Sequence, residues 1–194
     1  MARKFHYIYI PGLGDKYDWL RSLGTWHWQL RPGVTRTVVP MRWGADEPLE
    51  HKHQRVIDAI SDTPSDVHII LVGESAGGSV ALTIPGLTDR KLAIVTFCGK
   101  NTSVATIGQF YRRRFPSFVR SVELSERIVN SSHEQPNPVL VCYSENDRVV
   151  VPADGVVSGA DTITITIPGH LTAIMWLMVM RFRSIHGWVT AHTS

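Results

Sequence analysis

The sequence predicts an α/β domain, with about six strands in a mainly parallel sheet and helices on both faces. Three observations lead there. Short β-branched runs recur along the 194 residues. Longer amphipathic segments separate those runs, and strands alternating with helices require right-handed crossovers and hence parallel pairing. The segment Gly73-Glu74-Ser75-Ala76-Gly77 joins an apolar run at 67–72 to the small-residue run Gly78-Ser79-Val80-Ala81-Leu82. That is a sharp strand–turn–helix junction.

The elements follow in order. Residues 5–10 form a first strand, ending at Pro11-Gly12-Leu13-Gly14. A helix is expected over about 16–30, then a second strand at 35–40. Residues 48–60 are amphipathic, with Leu49, Val56, Ile57 and Ile60 on the inner side. The third strand is 67–72, followed by a helix from about 76 to 84. Strands four, five and six are 92–97, 139–143 and 162–167. A last helix runs from about 171 to 186 and ends near Gly187. Residues 100–137 break the alternation, carrying helical pattern but no strand. They begin where the fourth strand ends, and sites in open α/β sheets lie beyond strand carboxyl ends. A lid is therefore expected within 100–137 of a single domain spanning 1–194.

Composition narrows the function classes. The chain is 43% apolar and 19% charged, ordinary for a globular protein. A formal charge of +3 without a basic stripe or zinc-finger spacing argues against a nucleic-acid partner. Cys98 and Cys142 make no disulfide framework and read as small buried hydrophobes. The apolar stretch 163–180 is interrupted by Pro168-Gly169-His170, so it reads as a strand and a helix rather than a membrane span. The basic start at Arg3 and Lys4 leads into an apolar run broken by Pro11-Gly12, which is no signal-peptide pattern, and the default location is cytoplasmic. Nothing in the sequence sets an oligomeric state.

The chemistry is read from Ser75. A serine hydroxyl is a poor nucleophile until a base takes its proton, and the base needs an orienting acid. Asp147 follows the fifth strand and is the acid candidate, with Glu145 a weaker rival. Asp154 and Asp161 lie too far along. His170 follows the sixth strand and is the base candidate among nine histidines. His51 and His53 point to different faces of one helix. His186 and His192 read as solvated, and His133 is a distant second choice. An oxyanion hole needs two backbone N–H groups. Ala76, just after the serine, supplies one. Leu13, in a glycine-framed loop after the first strand, supplies the other. Gly12, Glu74 and Trp43 are expected to line the substrate pocket. Residues 110–118, with three arginines among aromatics, read as a solvated basic face over buried rings, or as an aromatic wall with an anion site. Trp19, Trp26, Trp28 and Trp176 are read as core.

These pieces, in this order, resemble the α/β-hydrolase family: the Gly12-Leu13-Gly14 loop, the Gly73-to-Gly77 elbow, the Asp147 loop and the Gly169-His170 pair. The resemblance covers nearly the whole chain. It implies a three-layer α/β-hydrolase fold, a Ser75–His170–Asp147 triad with oxyanion donors Leu13 and Ala76, and no metal or cofactor. Two features depart from the family. The chain starts at what resembles the family's third strand, a minimal version without the two N-terminal strands, and Pro11-Gly12 stands where His-Gly is usual. A serine at the elbow excludes family branches that use aspartate or cysteine. The implied activity is an esterase or lipase-like hydrolase acting on a small-molecule ester or acyl substrate. A thioesterase or acyltransferase would use the same acyl-enzyme. The alternative from another class is a non-catalytic hydrolase-fold binding protein, against which the intact Ser, Asp and His argue.

Overall fold

A computed structural model of the chain describes residues 3–131 and 137–193. Six strands form one sheet in the order β2-β1-β3-β4-β5-β6. They are β1 (Phe5–Ile10), β2 (Val34–Val38), β3 (His68–Glu74), β4 (Leu92–Phe97), β5 (Val139–Ser144) and β6 (Asp161–Ile165). Every neighbouring pair is parallel. The expected sheet is therefore present, and it is wholly parallel. β2 and β3 flank β1 on opposite sides. The loops after β1 and β3 diverge from there and open a crevice at the strands' carboxyl ends.

Alternation along the strands builds two cores. Ile8 and Ile10 of β1, with Leu71 of β3, face Val56, Val80 and Val122. These belong to α2 (Leu49–Ser61), α3 (Ala76–Thr83) and α5 (Pro116–Val129). Tyr7, Tyr9 and Val72 face the other way, toward Trp28, Leu177 and Phe182. That layer holds α1 (Asp18–Trp26), α7 (His170–Met180) and α8 (Phe182–His192). Successive side chains on a strand point to opposite faces, so a sheet apolar on both faces has to sit between two helical layers. The inner residues expected of α2 are as placed: Leu49, Val56 and Ile60 are buried and Ile57 is half-buried.

Four expectations need correction. The last helix is two helices, broken at Arg181 (φ −101°, ψ −2°), and Gly187 lies inside the second. α7 packs on β4 and β5. The turn then carries Phe182 back to stack on Trp28 (centroids 4.7 Å apart, planes 3° apart) and edge-on to Tyr7 of β1. His186 is not solvated: it is half-buried, and its Nδ1 meets the Tyr7 hydroxyl at 2.7 Å. Trp28 is core, but Trp19, Trp26 and Trp176 are exposed.

The described residues of 100–137 fall into two parts. α5 is an ordinary crossover helix packed on α3, with Ser121 Oγ 2.7 Å from Ser79 Oγ. Ser125 Oγ also donates to the Asn101 carbonyl at 2.7 Å. The part that overhangs the strand ends is the run through the 3-10 turn Val104–Thr106 and α4 (Gln109–Arg114). His133 lies outside the described residues.

Candidate active site

Ser75 sits between the last residue of β3 and the first of α3, with φ 48° and ψ −115°. This left-handed conformation is costly for a residue with a Cβ. It is held by three backbone hydrogen bonds of 3.0 Å: the Ser75 N–H donates to Phe97, and the Ser75 carbonyl accepts from Gly78 and Lys100. The flanking glycines are steric requirements. A Cβ on Gly73 would lie 2.7 Å from Gly78 Cα, and one on Gly77 would run into the Ile10 carbonyl.

The Ser75 hydroxyl lies 2.9 Å from His170 Nε2, and His170 Nδ1 lies 2.6 Å from Asp147 Oδ2. The three residues come from the carboxyl ends of β3, β6 and β5. His170 opens α7 behind Gly169, whose φ of 83° suits glycine. Asp147 is 4% exposed, and its Oδ1 accepts the N–H groups of Val149 and Val150 at 2.9 and 3.1 Å. Burial pushes its carboxyl up. The His170 hydrogen bond and the two backbone N–H groups outweigh that, and the net shift is below the usual carboxylate range. The rival acids stand apart from His170. Glu145 is exposed, Asp161 accepts from Trp188 Nε1 at 2.7 Å, and Asp154 pairs with Lys100. Among the rival histidines, His53 is buried against the Thr83 hydroxyl at 2.9 Å, while His51 and His192 are exposed.

Leu13 follows β1 and Ala76 opens α3, and both line the pocket that holds Ser75 and His170. Among the described residues neither N–H has a hydrogen-bond acceptor. The Ala76 N–H also lies at the positive end of the α3 dipole. The cavity measures about 360 Å³. Leu13, Ile107, Tyr111, Phe118, Val150 and Ile174 form its apolar wall. Two ion pairs complete the wall. In one, Lys100 Nζ donates to Asp154 Oδ2 at 2.5 Å and to Thr106 Oγ1 at 2.6 Å. In the other, Arg21 grips Glu74 through two hydrogen bonds of 2.7 Å. A larger cavity of about 920 Å³ lies among residues such as His6, Gly33, Thr35 and Pro64, away from the elbow.

The expected substrate contacts fare differently. Trp43 is 1% exposed and belongs to the core, where its indole N–H holds the Pro11 carbonyl at 3.0 Å. Its side chain turns inward from the strand end, so it supports the loop after β1 from behind. Gly12 is a packing position, since a Cβ there would stand 2.8 Å from Ser75 Cβ. Glu74 does line the pocket, but both its oxygens are taken, by Arg21 and by the Tyr9 hydroxyl. Tyr111 and Phe118 reach the pocket, whereas the arginines of α4 do not. Arg112 ties down the carbonyls of Ile107 and Val104. Arg21, Lys100 and Asp154 carry no local motif: the pairs Arg21–Glu74 and Lys100–Asp154 join residues more than fifty apart.

Cys98, Asp147 and His170 offer donor atoms within 4.8 Å of one another. They make a poor metal site. Burial, with Asp147 alongside, pushes the Cys98 thiol up to about 12, so a metal would have to displace its proton to bind. The Asp147–His170 hydrogen bond occupies the other two donors.

No protein-family model matches the chain, and no curated protein matches it in sequence. Solved structures do match it in fold. Est1E from Butyrivibrio proteoclasticus aligns with a TM-score of 0.70 at 13% identity, over 99% of this chain and 89% of that one. The Paleococcus ferrophilus monoacylglycerol lipase gives 0.66 at 13% identity, over 98% and 97%. MGS-MChE2, an α/β hydrolase enzyme from the metagenome of Mar Chica lagoon sediments in Morocco, gives 0.63 at 16%, over 100% and 94%. With a six-stranded parallel sheet between two helical layers and an elbow at the end of its third strand, the chain has the α/β-hydrolase fold.

Proposed function

We propose that this chain is a serine hydrolase of carboxylic esters. The observation that carries the reading is the unbroken hydrogen-bond chain from Ser75 through His170 to Asp147. Ser75 Oγ attacks the ester carbonyl as its proton passes to His170 Nε2. The Leu13 and Ala76 N–H groups hold the oxyanion. The alcohol then leaves with the proton from His170, and an acyl-Ser75 ester remains. Water gives a proton to His170 and attacks the acyl carbon, and the second intermediate collapses to the carboxylic acid as His170 returns that proton to Ser75 Oγ. Asp147 stays ionised throughout and holds the imidazole in the required tautomer.

The likeness to an α/β hydrolase enzyme and to a monoacylglycerol lipase supports a hydrolase, and the pocket supports a small substrate. A cavity of about 360 Å³ is at the lower end for ligand sites. The Lys100–Asp154 pair in its wall disfavours a long unsubstituted acyl chain. The run 104–111 is the cover in this reading, because Thr106, Ile107, Gly108 and Tyr111 line the pocket.

The test is hydrolysis of p-nitrophenyl esters from acetate to palmitate by wild type and Ser75→Ala, with fluorophosphonate labelling. Expected are labelling at Ser75, an optimum at short chains, and a loss of kcat of about a thousand-fold or more in the variant. A folded wild type that neither turns over esters nor takes the label would sink the reading. Turnover confined to thioesters, or to reactions with an added alcohol acceptor, would move it to the thioesterase or acyltransferase form.

A further inference from the structure

The neighbour of the nucleophile, Glu74, and the loop after β1 are bound to one guanidinium. Arg21 lies on α1 with its side chain 5% exposed. Its Nε and Nη2 donate to the two oxygens of Glu74 at 2.7 Å each. Nη1 donates to the Gly14 carbonyl at 2.9 Å and to Asp18 at 3.0 Å. Nη2 also meets the Leu13 carbonyl at 3.3 Å and the Gly12 carbonyl at 3.5 Å. Three successive carbonyls of the loop therefore converge on a side chain anchored beside Ser75. Tyr9 Oη completes the Glu74 shell at 2.7 Å.

The peptide plane gives this grip a consequence. The Gly12 carbonyl and the Leu13 N–H belong to one trans peptide, so they point in opposite directions. Drawing the Gly12 carbonyl toward Arg21 turns the Leu13 N–H away from it. Gly12 is packed so closely on Ser75 that a Cβ would stand 2.8 Å from Ser75 Cβ. Resting on the hydrolase reading above, we infer that Arg21 is a positioning residue for the oxyanion hole, clamping the Leu13 N–H in register with Ser75. Glu74 is the anchor of the clamp rather than a substrate ligand.

Stability alone does not account for the arrangement. A buried ion pair roughly breaks even against an apolar pair of the same volume. What only arginine supplies is a rigid planar fork with five donors, enough to hold a carboxylate and several carbonyls at once. Lysine keeps the charge but not the fork, which makes Arg21→Lys the discriminating variant.

The experiment compares wild type and Arg21→Lys on p-nitrophenyl butyrate, with n-butylboronic acid as the probe. Addition of Ser75 Oγ to boron gives a tetrahedral adduct whose oxygen takes the oxyanion position. The expected result is a fall in kcat of about 10–100-fold with KM within about two-fold. The boronic acid should lose affinity by the same factor as kcat. A folded Arg21→Lys with wild-type kcat, or one that changes KM while boronic acid affinity holds, overturns the clamp. If Arg21→Lys does not fold, Glu74→Gln decides, since it keeps the volume and removes one anchoring oxygen. It should show a smaller loss of the same kind, in kcat and boronic acid affinity together. An inert wild type that takes no phosphonate label would overturn the hydrolase reading and the clamp with it. An active wild type with an unaffected Arg21→Lys overturns the clamp alone.

Discussion

At Ser75 the backbone holds a φ of 48° that only surrounding structure maintains. The local cost of such a conformation is about 1–3 kcal/mol. Ser75→Ala removes the hydroxyl and keeps the strain, whereas Ser75→Gly removes both. We expect Ser75→Gly to be more stable than Ser75→Ala by about 1 kcal/mol in urea denaturation, with both inactive. Equal midpoints would mean that the elbow carries no strain. The positions of Ser75, Asp147 and His170 at strand ends were legible in the sequence, and their side chains do meet there. Trp43 also follows a strand, yet its indole turns inward onto the Pro11 carbonyl. Position after a strand is a local property, but the direction of a side chain there is settled by what packs around it.

At the scale of elements, the four central strands were readable because burial on both faces leaves nearly continuous apolar runs, whereas the edge strands β2 and β6 mix β-branched and polar residues. The C-terminal helices were not readable. Their apolar residues run through Arg181 with helical spacing on both sides, and the break there goes with the packing of Phe182 on Trp28 and Tyr7. Two substitutions test this arrangement. Phe182→Ala removes the ring stacked on Trp28 and should cost about 3–5 kcal/mol. Gly187 lies inside α8, with open space where a Cβ would go. Gly187→Ala should therefore raise stability by up to about 1 kcal/mol. Had the helix ended there, as the sequence implied, alanine would be unfavourable in the glycine cap. A destabilised Gly187→Ala would restore that earlier boundary.

The whole molecule should weaken in acid in two stages. Burial lowers the pKa of His53, bonded to Thr83, and of His186, bonded to Tyr7 and near Arg31. The folded state therefore favours the neutral rings, and the unfolded chain binds more protons as pH falls below about 6.5. Stability is full above that pH and declines below it. Asp147 acts in a lower window. Its carboxyl lies below the usual range in the folded state, so its contribution is present above about pH 4 and is lost as pH falls through the folded value. Thermal melts from pH 8 to 4 should show the first decline, and the pair His53→Gln and His186→Gln should flatten it. An unchanged slope in that double variant would assign the acid sensitivity to other groups.

The sequence by itself determined the layered α/β architecture, the elbow, and which residues stand at the strand ends. All of these follow from local periodicity and from the steric need for glycine. Only the tertiary structure decided the clamp and the pocket wall. Arg21 meets Glu74 across 53 residues, and Lys100 meets Asp154 across 54. A buried charge has to find its partner in space, and that partner is fixed only once the layers have packed.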